Sequence, residues 1–532
     1  MYTHAMALLA TMVFTCVALL GSAQNRNIQN NRFWNTVDGQ PIYSQGGGVF
    51  QFKNPETGID TYYWYGAFYK EAELYRNDPS KTQPVDNFVA VTCYSSLDLV
   101  NWKFEGNVLD RAEVNKHADS TRWMGRLGVA FVKELNRYAL FIQHNDGVLI
   151  ALSESPTAPF KWHHRLDMTD KIGTPNTGDQ TLFTDPDTGI SYLVYSYGRG
   201  RHKIYISEIG VKEQQVDLLD CTQIFRGLGR EGNCMVKHNG KYYVLASNLY
   251  GWDSSYAYYL VADSVKGPYT PTDHMLIIPG SMDDYAHVTQ TGFLVNVKGS
   301  KHETVLYCGD RWANFAGNGL GYNQWVPLSF EGDVPYFNSL HSWNFDVQTG
   351  AWSVADDNNY VRNGSFEADR KYIPSSVKPI QEQLKGWHSK VIQGNEIGVG
   401  VPKSPVLNYY NTTHDRTFVV GEKSLNISDS IDFKRKVFQT IESTPYVPLP
   451  DGTYTLAAKV KCGAGFRNME LYAECKGERQ AVKIADTRSN WTSIELKNVR
   501  VTGGKVVVGF WADGTANAQC LVDDVTFVKN RK

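Results

Sequence analysis

Arg230-Glu231-Gly232-Asn233-Cys234-Met235-Val236-Lys237-His238-Asn239-Gly240-Lys241-Tyr242-Tyr243-Val244-Leu245-Ala246-Ser247 is the stretch that decides the fold. It reads as a β-hairpin: an alternating strand, a His-Asn-Gly-Lys turn, and a second strand rich in aromatic and β-branched residues. One carboxylate, Glu231, stands at the start of the first strand. The pattern recurs from Gln45-Gly-Gly-Gly-Val-Phe to Tyr62-Tyr-Trp-Tyr-Gly66, and from Gly125-Arg126 to Tyr138–Gln143. It recurs again from Gly178-Asp179 to Tyr192–Ser196, and from Thr289-Gln290 to Val305–Gly309. Hairpins repeated roughly every 50 to 80 residues predict a radial all-β repeat, a propeller of five blades.

Further strands and Ser/Asp/Pro turns follow each hairpin, as in Val91–Trp102, Val148–Trp162 and Tyr258–Tyr269, giving about four strands per blade. Near Trp352–Asn359 the pattern changes. Strands at Thr453–Cys462, Met469–Cys475, Trp491–Leu496 and Lys505–Trp511 predict a separate β-sandwich of jelly-roll type. The expected division is residues 24–355 for the propeller and 356–532 for the sandwich. Residues 1–23 hold an apolar run (Met6–Leu20) ending in Gly21-Ser22-Ala23, which reads as a cleaved signal peptide and predicts a secreted or periplasmic protein. Later segments lack the apolar length of a membrane span.

Lys+Arg number 53 and Asp+Glu 55, so no strong field points to nucleic acid or an anionic membrane. The chain has 13 Trp and 31 Tyr, which suit β-blade cores and also suit stacking on sugar rings. The cysteines beyond the leader (93, 221, 234, 308, 462, 475, 520) are scattered and odd in number. Cys462 and Cys475 are candidates to pair across neighbouring strands, but the set reads as buried free thiols.

Inner strands of a propeller begin near its axis, so the starts of the five hairpins converge: Gln45, Arg126, Asp179, Glu231 and Gln290. Two carboxylates and an arginine in one small space are expensive to bury unless used, and close like charges push one pKa upward. Such a pair provides what glycoside hydrolysis requires, a carboxyl kept protonated near neutral pH beside one that stays ionised. The structural alternative is that both carboxylates cap strand ends.

The five hairpins, Ser96-Leu-Asp-Leu-Val-Asn-Trp102, Gly178-Asp179, Glu231 before a Tyr-Tyr strand, and Tyr307-Cys-Gly-Asp-Arg-Trp312 together resemble glycoside hydrolase family 43 over about residues 30–350. The branch most similar contains exo-β-1,3-galactanases and exo-furanosidases. The resemblance implies an inverting hydrolase that needs no organic cofactor, with Glu231 as general acid and Asp179 tuning its pKa. The family's usual first-blade Asp base is missing, Gln45-Gly46-Gly47-Gly48 standing there, and the resemblance assigns Gln290 the base-like position. Glu71, Glu73 and Asp310 are alternative water activators. Arg126 and Arg311 are candidates for sugar hydroxyls, and Trp252 and Trp312 for a stacking floor. His287 is read as a core histidine, with an axial ion or water as the alternative.

Gln45, Ala67 and Gly125-Arg126-Leu127 replace acidic and His positions of the galactanase pattern, which favours a furanoside over a galactopyranoside. The expected substrate is a terminal α-L-arabinofuranosyl or β-D-galactofuranosyl residue of an arabinogalactan-type or microbial polysaccharide. An exo-β-1,3-galactosidase and a non-catalytic glycan-binding propeller are the rivals. Asn363-Gly-Ser-Phe-Glu367 and Asp523-Asp524 resemble the ends of a carbohydrate-binding module, which implies Glu367 and Asp524 as ligands of a structural Ca²⁺. Trp387, Tyr409 and Tyr410 are candidates for its binding face.

Overall fold

A computed structural model of the chain describes residues 26–83, 85–117, 123–313, 316–317, 323–368, 384–398, 401–409, 421–487 and 489–531. Residues 1–23, read as a signal peptide, and Tyr410 lie outside these residues. The five predicted hairpins are the two inner strands of five antiparallel sheets, so the propeller is as expected. Blade I runs through Gln45–Lys53, Asp60–Tyr69, Phe88–Ser96 and Lys103–Asp110. Blades II to V begin with the inner strands Leu127–Val132, Thr177–Thr184, Arg230–His238 and Gln290–Lys298. Apolar side chains alternate with the pleat, and their buried faces fill the wedges between blades.

Each blade is built from consecutive strands, so none is shared to lock the ring. Closure falls to side chains between blades V and I. Trp325 packs against Trp64 and Trp34, with centroids 5.0 and 5.2 Å away, and Trp64 packs against Trp102 at 5.2 Å. Beside this seam, Asn27–Gln29 pairs with Ser342–Asp346, which pairs in turn with Ala351–Val354. Asn30, fully buried, donates to the Trp325 and Leu340 carbonyls and accepts from the Trp325 amide. Thus the first and last segments of the ring are stitched together where a break would otherwise open.

The C-terminal domain is a sandwich of two five-stranded antiparallel sheets. One contains Phe433–Glu442, Lys505–Gly514 and Phe466–Cys475; the other contains Ser424–Ser428, Gln519–Lys529 and Gly452–Cys462. Phe433–Glu442 alternates buried and less buried residues, the period of a sheet packed on one face. Trp387 is a core residue here, packed between Phe366 and Phe510, and is not part of a binding face. Cys462 and Cys475 lie in different sheets; Cys462 faces Cys520 on the adjacent strand, and all seven described cysteines are free thiols. The two domains touch directly. Lys385 donates to the Tyr256 hydroxyl at 2.8 Å, Arg362 pairs with Asp283, and Arg311 lies 3.6 Å from Glu367. No helix among the described residues is long and apolar enough to cross a membrane.

Candidate active site at the propeller axis

The inner strands of blades I, III, IV and V break register near their first residues, each admitting one extra residue. A β-bulge bends the strand and re-aims side chains, and here the bulges turn them toward the axis. Gly46 and Gly232 hold matching bulge positions with φ of 62° and 63°. A Cβ on Gly232 would lie 2.2 Å from the Thr291 carbonyl oxygen, so a side chain there would push blades IV and V apart. Register also corrects one expectation. Glu231 matches Thr177 and Gln45, whereas Asp179 lies inside the bulge of blade III and matches Asn233 and Gly47. The two carboxylates share an end of the ring but not a repeat position.

Arg126 is the hub. From blade II its Nε donates to Asp179 Oδ2 at 2.9 Å and its Nη1 to Asp310 Oδ2 at 2.7 Å. Its Nη2 donates to Gln290 Oε1 at 2.8 Å and to the Thr291 carbonyl at 3.0 Å. Its side chain is only 3% exposed, so these contacts are made away from water. Asp179 also accepts the Gly232 amide at 2.8 Å and lies 3.4 Å from Arg201. Arg201 reaches Glu231 as well, at 3.2 Å, and thereby bridges both carboxylates.

Glu231 Oε1 accepts from Gln290 Nε2 at 2.5 Å. Gln290 Oε1 also accepts the Trp312 indole N–H at 2.9 Å. The nitrogens of Arg and Trp are donors only, so the atom facing them is the amide oxygen and the NH2 faces Glu231. An imidic tautomer would set an O–H against those two donors. Gln290 therefore stays an amide, suited to positioning a neighbour rather than taking a proton.

Two guanidiniums, of Arg126 and Arg201, meet three carboxyls, of Asp179, Glu231 and Asp310. Such a cluster is neutral only when one carboxyl keeps a proton. Burial, and then the Asp179 charge beside it, push Glu231 up to about 8, against the pull of Arg201 and Arg126. Burial opposes the charge of Asp179 too, but both arginines and the Gly232 amide outweigh it and bring Asp179 down to about 2. Burial also raises Asp310 against Arg126, yet both its oxygens accept N–H donors, from Arg126 and from Gly46 at 3.2 Å. Glu231 is the group whose surroundings favour the proton.

The other expected residues fall in different places. Trp312 lies over Arg126 with its centroid 5.8 Å from the guanidinium, and Trp252 packs against it at 5.3 Å, so the two indoles form one aromatic wall. Gln45 is buried and donates to the Arg311 carbonyl at 2.8 Å. Arg311 turns away from the axis. Its Nη1 donates to the Trp312 carbonyl at 3.1 Å and its Nη2 faces Glu367, so it is not placed to bind sugar. Among the alternative water activators, Glu71 is buried and holds the Asn87 amide and side chain, while Glu73 pairs with Lys70 on the surface. Asp310 is buried with both oxygens committed. His287 donates or accepts at Ser339 Oγ at 2.7 Å within a left-handed turn, Tyr285–Val288, and acts as a core residue.

Glu367 Oε1 accepts the Glu422 and Lys423 amides at 2.9 and 2.6 Å, and Oε2 faces Arg311. Amides and a guanidinium are donors, whereas Ca²⁺ requires six to eight oxygens. Asp524 is buried on Gln519–Lys529, its amide bonded to Asp523 Oδ1 at 2.8 Å. Among the described residues no three His, Cys, Asp or Glu side chains cluster as a metal site. The surroundings of Glu367 thus fit an ion pair and not a calcium ion.

Arg201 and Asp310 complete the site, and the hairpin starts alone did not reveal them as a pair. Asp310 lies at the end of a second strand, opposite Gln290, and Arg201 in the turn after the second strand of blade III. In an antiparallel blade the second strand ends where the first begins, which is the signal that finds both.

The family model "Glycosyl hydrolases family 43" matches residues 72–318, most of the propeller. The propeller belongs to that family. A curated relative, the β-D-galactofuranosidase xynD of Aspergillus niger, is 25% identical over 292 residues, covering 49% of this chain and 76% of its own length. The fold is similar to that of an exo-β-1,3-galactanase of Phanerochaete chrysosporium, solved with β-1,3-galactotriose. That match has a TM-score of 0.53 and 21% identity, and covers 94% of this chain and 100% of the other. An exo-β-1,3-galactanase of Clostridium thermocellum aligns with a TM-score of 0.51 and 19% identity over 95% and 100%. These two likenesses extend through the C-terminal domain and concern the fold. The family match thus lies within the propeller, to which a C-terminal sandwich is attached.

Proposed function

We propose that the protein is an inverting, exo-acting furanosidase that removes terminal β-D-galactofuranosyl or α-L-arabinofuranosyl residues from a polysaccharide. The observation that carries the reading is the pair of buried carboxyls, Glu231 and Asp179, bridged by Arg201, in which burial and the Asp179 charge favour the protonated form of Glu231. Glu231 would donate its proton to the departing glycosidic oxygen. Arg201, with about a third of its side chain exposed, is the partner that leaving oxygen would displace from Glu231. Asp179 and Arg126 keep the acid's field fixed, and Gln290 holds its carboxyl in place. The Trp252–Trp312 wall offers a C–H face to the ring. Support for a furanose comes from the galactofuranosidase relative and from Gln45, Ala67 and Arg126 at positions the galactopyranose pattern fills otherwise. A secreted or periplasmic location is the reading that the apolar run Met6–Leu20, ending in Gly21-Ser22-Ala23, supports.

Release of 4-nitrophenol from β-D-galactofuranoside, α-L-arabinofuranoside and β-D-galactopyranoside tests the reading, with the anomer of the product followed by NMR. Turnover of a furanoside with inversion, lost in Glu231→Gln, is the expected result. Turnover of the galactopyranoside alone moves the enzyme to the β-1,3-galactan side, and binding to arabinogalactan without turnover of any glycoside overturns the catalytic assignment.

A further inference from the structure

The aromatic wall of the site is held from behind by the other domain. Arg311 is 5% exposed, and its side chain runs between the Trp312 carbonyl and the Glu367 carboxylate of the sandwich. Its backbone carbonyl is fixed by Gln45, the first residue of blade I. On the sandwich side, Glu367 is clamped by two backbone amides, and a Cβ on Gly421 would fall 2.1 Å from its carboxyl, so the chain passes as close as glycine permits. Tyr75 of the helix Lys70–Asn77 donates to the Gly421 carbonyl at 3.4 Å. The charged and titratable groups facing this junction are Arg311, Glu367, Tyr75, Glu422 and Lys423.

From Arg311 the chain of contacts is short. The next residue, Trp312, donates its indole N–H to Gln290, and Gln290 donates to Glu231. We propose that Glu367 of the sandwich is a positioning residue of the propeller's active site, fixing Trp312, and through it Gln290 and Glu231, by its buried pair with Arg311. The sandwich then completes the catalytic site, whatever glycan it binds itself. This rests on Glu231 being the acid.

Glu367→Gln in the full chain is the direct probe, because Gln keeps an acceptor for the Glu422 and Lys423 amides and removes only the charge. A misplaced group near the chemistry lowers rate by about ten- to a hundredfold, and a kcat/KM loss in that range is expected. The loss should sit mainly in kcat. With Gln290 less firmly held on Glu231, the basic limb of the pH profile should move upward. In a Trp312→Phe background, which already lacks the indole N–H, the same substitution should change kcat/KM by less than about twofold, because residues acting as a unit are not additive. Glu495→Gln, on an exposed pair with Lys497, is the control for the sandwich as a whole.

Equal, additive losses in both backgrounds with an unmoved pH limb overturn the proposal, as does full activity in Glu367→Gln. Should that variant not fold, Arg311→Gln removes the pair from the propeller side and is judged by the same double substitution. If Glu231→Gln keeps activity, the acid assignment fails while the brace is still read by hydrogen exchange. Arg311–Ala313 amides exchanging at least about tenfold faster in Glu367→Gln support it, and unchanged exchange overturns it.

Discussion

The sandwich and the propeller each bury an arginine against carboxylate. In the sandwich Arg435 and Asp429 are both fully buried and meet at 2.6 Å; the Asn395 amide donates to the same Oδ2 of Asp429, and the Asn395 side chain donates to its Oδ1. One cation faces one anion. At the propeller axis two cations face three carboxyls, so a proton must stay behind. Buried charge alone therefore marks nothing in this molecule; the imbalance does. The balanced pair sits among core residues and specifies packing, whereas the unbalanced cluster lies beside Arg201 and Trp252, the partly exposed members of the site.

The largest expected effect tests the unbalanced side. Glu231→Gln keeps the shape of the carboxyl and its bond to Gln290 but cannot donate a proton, so turnover should fall by about 10²- to 10⁴-fold. The fold should survive, because neutral glutamine matches the protonated acid. Turnover within tenfold of wild type would place the proton elsewhere. For the balanced pair the prediction is reversed. Asp429→Ala strands Arg435 in the core and should lower stability by about 3 to 5 kcal/mol, measured by denaturant unfolding, while activity per folded molecule stays unchanged. A stable Asp429→Ala protein would erase the contrast.

Much of this was legible in the sequence, and for a physical reason. Hairpins are local objects: alternation and turn residues specify Arg230–His238 and Lys241–Asn248 with no knowledge of the rest of the chain. The start of each inner strand then leads to Arg126, Asp179, Glu231 and Gln290. What was not legible depends on closure. Asp310 belongs to the site because ring closure sets blade V beside Gly46 of blade I. Arg311 reads as a sugar ligand until Glu367, from another domain, turns it outward. Trp387 reads as a binding face until the sandwich packs Phe366 and Phe510 around it. Lone polar or aromatic residues take their role from contacts remote in sequence, and periodicity carries no record of those.

A smaller effect separates the two guanidiniums. Arg201 is the more exposed and bears on Glu231 directly, pulling its pKa down. For an acid catalyst the active form is protonated, so wild-type kcat/KM should fall as pH rises through about 8. Arg201→Gln removes a cation, raises the Glu231 pKa further and should move that limb to higher pH. An unmoved limb would mean that Arg201 acts through substrate contacts alone, with no hold on the Glu231 proton.

The smallest effect is thermodynamic and needs no substrate. A carboxyl whose pKa rises from 4.5 unfolded to about 8 folded binds more protons in the native state over that window. Stability therefore drops as pH climbs between those values, because burying the carboxylate form of Glu231 becomes progressively unfavourable. Glu231→Gln has no proton to lose, so its stability relative to wild type should be level below pH 4.5 and grow steadily up to about pH 8. Asp179 runs the other way. Its pKa is held down to about 2, so it stabilises the fold at neutral pH, and that contribution is lost on acidification through the range from 3.8 to 2. Urea unfolding of wild type and Glu231→Gln at a series of pH values separates the two slopes. Parallel curves between pH 4.5 and 8 would mean that Glu231 is ionised in the resting site, with the missing proton on Asp310.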